Sequence, residues 1–152
     1  MSMSVPDEKK QILDGLSILD QMFGDLEFLA YDLDDRLREG AIISNVSEVL
    51  DALNRTISTI RLTIDYISEA LPSDEIKATL GFYRAWISYL NKTLSVTYAN
   101  EDLMRTIFSI VFDVINDLYR SFKDFKKQVE DKLTGSTNQQ NNLNQPIPTR
   151  EL

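Results

Sequence analysis

Apolar residues recur at alternating steps of four and three along most of this chain. A step that averages 3.5 residues keeps one side of an α-helix apolar, so each unbroken row predicts a helix that buries that side. Four rows follow one another, over residues 12–37, 46–71, 76–94 and 104–129. We therefore expect four helices, over about residues 5–38, 46–71, 74–98 and 101–133.

Residues between the rows carry signals for helix ends. Gly40 follows the first row, and a glycine is the common residue where a helix stops. Asn45 and Glu48 have the spacing of a capping box before the second row, and Asn100 is the expected N-cap of the fourth helix. Because the joining segments are short, consecutive helices run antiparallel. The sequence predicts an all-α, single up-down-up-down antiparallel four-helix bundle.

The bundle is expected to form one domain over residues 1–134. A chain of 152 residues, 43% of them hydrophobic, is long enough to bury a sizeable core. Residues 135–152 are instead rich in Asn and Gln, and they contain two prolines and few aliphatic side chains. Such a composition buries too little apolar surface to order a chain, so this C-terminal tail is predicted to be disordered.

The chain contains neither cysteine nor histidine. Thiol nucleophiles, thiolate metal centres and the commonest general base are therefore missing. Dinuclear metal sites in helical bundles use inward-facing Glu and Glu-x-x-His pairs, and the four apolar rows hold no carboxylate. No Lys or His is placed to activate a serine or threonine, and no Gly-rich phosphate loop occurs. We expect no enzymatic activity, no metal and no cofactor.

The charge and the hydropathy of the chain restrict the kinds of partner that it can bind. The formal net charge is −8, and the acidic residues are concentrated in the first half of the chain. No apolar stretch approaches the roughly 18 residues that a membrane helix needs, and the N-terminus lacks the apolar run of a signal peptide. We expect a soluble, cytoplasmic protein that does not contact membranes.

Basic residues interleave with aromatic ones near the end of the fourth helix. Four of them are candidate nucleic-acid contacts: Arg120, Lys123, Lys126 and Lys127. Phe122 and Phe125 between them belong to the apolar row, so they are expected in the core, and cations in this half of a helix also complement its dipole. A nucleic-acid contact here stays an alternative, as one weak patch within a larger complex.

A second set of apolar residues lies beside the rows of the third and fourth helices. The candidate interface residues are Phe82, Trp86, Tyr89, Leu103, Ile107 and Ile110. In an antiparallel pair these two sets face each other, so part of each seals helix 3 against helix 4. The outward residues would remain as an apolar ridge, which monomeric proteins rarely expose to water. Burial within the chain is the alternative to contact with a partner.

These features predict a non-enzymatic interaction or assembly protein. It is expected to oligomerise, as a homo-oligomer, or to dock a protein partner through the helix 3/helix 4 face. The alternative is a small helical subunit of a nucleic-acid-binding complex that uses the basic end of helix 4.

Overall fold

The chain folds into four α-helices in a computed structural model, which describes residues 5–71, 74–98 and 100–134. The helices are α1 (Val5–Arg38), α2 (Ser47–Ala70), α3 (Asp74–Tyr98) and α4 (Glu101–Thr134), with a 3₁₀ turn at Ile43–Asn45. The expected helix bounds differ from these by one residue at most. No strand occurs in the described residues. The predicted disordered tail, residues 135–152, lies outside them.

The helices form an antiparallel bundle in which each packs against the next and α4 closes against α1. Arg105, near the start of α4, donates a hydrogen bond to the carbonyl of Leu37, at the end of α1, over 3.1 Å. Lys132 at the end of α4 likewise lies 3.6 Å from Glu75 at the start of α3. Each pair joins opposite ends of two neighbouring helices. The predicted up-down-up-down four-helix bundle is confirmed.

Every residue of the four apolar rows is buried. Aromatic rings from three helices meet inside the bundle, because Phe122 lies 4.8 Å from Phe23 and 5.5 Å from Tyr83, centroid to centroid. Phe125 lies 5.7 Å from Tyr83 in the same cluster, so both phenylalanines are core residues, as expected. Large side chains hold helix axes apart. Consistent with this, α3 and α4 pack least closely of the four neighbouring pairs.

Two of the predicted helix-end signals are found in the structure. Gly40 has a φ of +93°, and the N–H of Ala41 donates to the carbonyl of Arg36 over 3.0 Å, which closes α1 in a Schellman motif. At the start of α4, the side-chain oxygen of Asn100 accepts a hydrogen bond from the N–H of Leu103 over 3.0 Å. Both ends satisfy backbone groups that a helix leaves unpaired.

The capping box predicted at Asn45 and Glu48 is wrong. Asn45 ends the 3₁₀ turn, and Val46 occupies the N-cap of α2 with no side-chain hydrogen bond. Val46 is buried in the core, and the N–H of Ile43 before it donates to a carboxylate oxygen of Glu101 over 3.0 Å. Burial and this contact with α4 fix the path of the chain here.

None of the helices in the described ranges combines the length and the apolar character that crossing a membrane requires.

Candidate protein-docking surface

An aromatic row runs along the outer side of α3. Phe82 and Tyr89 are 55% and 63% exposed, while Trp86 between them is half-buried and packs against the core. The ring of Trp86 lies 6.4 Å from that of Phe82 and 6.0 Å from that of Tyr89, and both contacts are edge-to-face. Such contacts stabilise aromatic pairs beyond the area they bury. The three rings therefore form one continuous surface, which we call the α3 aromatic row.

The α3 aromatic row borders a groove between α3 and α4 of about 260 Å³. The residues that line this α3/α4 groove are Phe82, Trp86, Val114, Asp117, Leu118 and Ser121. A second hollow, of about 310 Å³, lies over Ala85 between the rings of the row. Both are open and mainly apolar, with the carboxylate of Asp117 on one edge. Such a surface suits an apolar side chain or a peptide better than a charged small molecule.

One hydrogen bond lies beneath the groove. The hydroxyl groups of Tyr83 and Ser121 are 2.7 Å apart, and either can be the donor. Burial raises the pKa of the Tyr83 hydroxyl, so this group stays protonated at neutral pH. It links α3 to α4 and offers no general base.

The candidate residues on α4 lie further along the bundle. The contact between Tyr83 and Phe122 sets the register of the two helices, and Ile110 is twelve residues before Phe122, about 18 Å along the axis. Ile110 is 60% exposed, Leu103 is only 37% exposed and Ile107 is half-buried. None of the three lines the α3/α4 groove.

Val96 is a further exposed residue on this face that the sequence analysis did not identify. It is 70% exposed, and it lies seven residues after Tyr89, on the same side of α3. The heptad spacing of Phe82, Tyr89 and Val96 is the signal that could have found it. We use α3/α4 face for the α3 aromatic row, the α3/α4 groove, Val96 and Ile110 together.

The four basic candidates do not form one free cationic patch. Lys126 pairs with Asp20 over 3.3 Å and with Glu130 over 3.7 Å, so its charge is largely compensated. Arg120 lies 3.6 Å from Asp117, and both side chains are mainly exposed, which makes the pair weak. The ammonium of Lys123 lies 4.3 Å from the ring centre of Tyr119, and Lys127 is exposed.

No group of three or more acidic side chains in the described part of the chain is arranged to hold a metal ion.

Comparison with known proteins gives one relative whose full length matches. The chain is 30% identical over 150 residues to "Uncharacterized protein ORF150a" of Acidianus bottle-shaped virus (isolate Italy/Pozzuoli), an alignment that covers 99% of this chain and all of that protein. The chain belongs to the ORF150a family. No family model matches the sequence, and no solved structure matches it.

This member of the ORF150a family has a second aromatic surface, between α1 and α4, which the sequence analysis missed. Tyr31 of α1 lies 6.0 Å from Phe112 of α4, edge-to-face, and Phe28 beside them is 71% exposed. These rings line an open groove of about 630 Å³, which Arg120 and Lys123 also line. We call it the α1/α4 groove.

Gly24 makes room for the α1/α4 groove. A Cβ atom on Gly24 would lie 3.2 Å from the hydroxyl oxygen of Tyr119, so a larger residue would press on this ring. Tyr119 follows Phe112 by seven residues, on the flank of α4 opposite the predicted interface. The heptad spacing of these two aromatic residues is the sequence signal that could have indicated this second aromatic surface.

Proposed function

We propose that the protein is a non-enzymatic interaction or assembly protein, which oligomerises or docks a protein partner through the α3/α4 face. The observation that carries the proposal is the exposure of Phe82 and Tyr89, with 55% and 63% of their surfaces in water. Trp and Tyr are the residues on which protein interfaces most often depend, because their rings bury a large area. Covering these rings would remove an apolar surface from water.

The α3 aromatic row is also ordered before a partner arrives. Its rings sit on one helix, and Trp86 contacts both neighbours and the core beneath. A preformed surface loses little side-chain entropy on binding, which leaves more of the burial free energy for affinity. Fixed aromatic rings around a small groove are therefore better suited to a protein contact than flexible exposed side chains.

Two further points support a protein contact. The matched relative is a protein of a virus, and the match covers its full length, so an assembly role is compatible with its source. The net charge of −8 also disfavours a nucleic-acid backbone as the main ligand.

A crosslinking experiment tests the self-association form of the proposal. The chain has no cysteine, so Val96→Cys introduces a single thiol on the α3/α4 face, and Leu62→Cys places one at a similarly exposed site on α2. A thiol-specific bifunctional reagent should join copies of the Val96→Cys protein far more efficiently than copies of the Leu62→Cys control. Equal crosslinking of the two variants would count against the α3/α4 face.

The alternative is a small helical subunit of a nucleic-acid-binding complex. One observation favours it: Arg120 and Lys123 border the α1/α4 groove together with Tyr31 and Phe112, and aromatic rings beside cations suit stacked bases. Binding of labelled single-stranded DNA and RNA at low and moderate salt tests it. Binding that collapses with salt and is lost in an Arg120→Gln/Lys123→Gln variant would favour this function. No binding at low salt would remove it.

A further inference from the structure

We propose that residues 146–150 of the same chain dock in the α3/α4 groove and cover the α3 aromatic row. The inference rests on the proposed function of the α3/α4 face, because it names what controls access to that face. Three features carry it: the chemistry of this segment, the charge at the edge of the groove, and the length of chain between α4 and the segment.

The segment reads Pro146-Ile147-Pro148-Thr149-Arg150. Proline fixes its own φ and restricts the residue before it to extended conformations, so such segments favour the polyproline II helix. A polyproline II segment loses little entropy on binding, and its general mode of recognition is an aromatic-lined groove. The rings of Phe82 and Trp86 line the α3/α4 groove and give it this character.

Charge distinguishes the α3/α4 groove from the other aromatic groove. Asp117 lies on the edge of the α3/α4 groove, and its side chain is 78% exposed and therefore accessible to Arg150. Arg120 shares this carboxylate only through a weak exposed contact of 3.6 Å. The α1/α4 groove is instead lined by two cations, Arg120 and Lys123, and one carboxylate, Glu27, so its net positive charge repels Arg150. The segment therefore fits the α3/α4 groove better.

The connecting chain is long enough. Leu118 in the groove lies sixteen residues before Thr134, which ends α4, and this is about 24 Å along the helix. The eleven residues 135–145 span up to about 36 Å when extended, so they reach back along α4 with length to spare.

Covalent connection favours the chain's own segment over a second copy. A covalent linker of eleven residues gives the segment a local concentration of roughly millimolar, so even a weak contact is occupied within one molecule. A partner or a second copy must then displace the segment, which lowers its apparent affinity by the fraction of chains in which the groove is open. The segment is a built-in competitor for the α3/α4 face.

The sole tryptophan of the chain, Trp86, is a direct reporter because it lies in the groove. The test compares acrylamide quenching and emission of Trp86 in the full-length wild type and in Ile147→Asp/Arg150→Glu, at submicromolar and at higher concentration. The matched control, Gln139→Glu/Asn141→Asp, adds negative charge to the tail outside the segment. The variant should show a red-shifted emission, stronger quenching and tighter self-association than wild type, whereas the control should behave as wild type.

Two results would overturn the inference. Identical quenching in the wild type and the variant at all concentrations would mean that the segment does not reach Trp86. Protection of Trp86 that disappears on dilution would assign the groove to a second copy instead. Sedimentation of the wild type and the variant tests the proposed function separately. If both proteins stay monomeric, self-association through the α3/α4 face is contradicted, while the quenching comparison at submicromolar concentration still tests the docking of the segment.

Discussion

The guanidinium group of Arg105 in α4 donates a hydrogen bond to the carbonyl oxygen of Leu37, at the end of α1, over 3.1 Å. The same group also bonds to the carbonyl of Ala41 and to the carboxylate of Glu101. Glu101 in turn accepts the N–H of Ile43. Carbonyls at a helix end have no partner within the helix. Arg105 is the donor to the carbonyls of Leu37 and Ala41, and Glu101 is the acceptor for the N–H of Ile43. Together they hold the α1–α2 connection against α4.

Arg105→Met should destabilise the bundle, because it keeps the aliphatic stem and removes these hydrogen bonds. We expect a loss of about 1.5–3 kcal/mol, the range for hydrogen bonds to charged groups. Urea unfolding followed by circular dichroism measures it. Arg55→Met, at an exposed site on α2, is the control and should stay close to wild type. Equal stabilities of the two variants would contradict the role of Arg105.

The carboxylate of Glu101 makes the contribution of the α1–α2 connection to folding stability depend on pH. The N–H of Ile43, followed by the guanidinium of Arg105, lowers the pKa of Glu101 below its ordinary value. A lowered pKa in the folded state stabilises the protein above the pKa of the unfolded state, and this gain is lost as pH falls through the folded pKa.

The stability difference between wild type and Glu101→Gln should therefore be largest at neutral pH and should shrink below about pH 4.3, the usual glutamate pKa. Urea unfolding of both proteins across this range provides the measurement. A difference that grows as pH falls would show that the sign is wrong.

Substitution of two glycines by alanine should change the stability of the fold in opposite directions. A Cβ atom on Gly15 would lie 2.7 Å from Cγ1 of Ile67, whereas one on Gly81 would meet nothing within 4 Å. Ile67 is buried and β-branched, so it moves little.

Gly15→Ala should lose about 1 kcal/mol, because overpacking outweighs the gain in helix propensity. Gly81→Ala, in the middle of α3, should gain about 0.5–1 kcal/mol. Thermal melts of both variants check the pair, and stabilisation by Gly15→Ala would contradict the close approach of α1 to Ile67 of α2 at this position.

The apolar rows are the basis of the fold, so a charge placed in one should unfold it. Ile60 is fully buried in α2, and Ile60→Asp would leave an uncompensated charge that costs several kcal/mol, against about 5–15 kcal/mol for a typical domain. The neighbouring Thr59→Asp lies at an exposed position and should retain the helical spectrum and a cooperative melt. Native helicity in Ile60→Asp would contradict the packing of α2.

The sequence predicted the buried rows because their spacing reports directly on the helix period. It failed at the start of α2, since the path there depends on the burial of Val46 and on Glu101, which is distant in sequence. The spacing also shows which flank of a helix a residue occupies. It does not show which residues of two different helices lie at the same position along the bundle axis.

The axial position of residues along the bundle explains both points at which the candidate site differs from the sequence prediction. Ile110 was grouped with Phe82, and the register set by Tyr83 and Phe122 separates them along the axis. The α1/α4 groove was missed because Tyr31 and Phe112 become neighbours only when two distant helices align.

The most direct test of the α3/α4 face is the molecular mass of the wild type and of Phe82→Glu/Ile110→Glu, measured by sedimentation across micromolar concentrations. Both residues are more than half exposed, so the double variant should keep the helical spectrum. Phe28→Glu/Leu62→Glu changes residues on other faces that are at least as exposed, and is the control. We expect the wild type and the control to exceed the monomer mass of 17.4 kDa and to rise with concentration, while the double variant stays at that mass. A wild type that remains monomeric throughout, or a double variant that associates as the wild type does, would contradict self-association through this face.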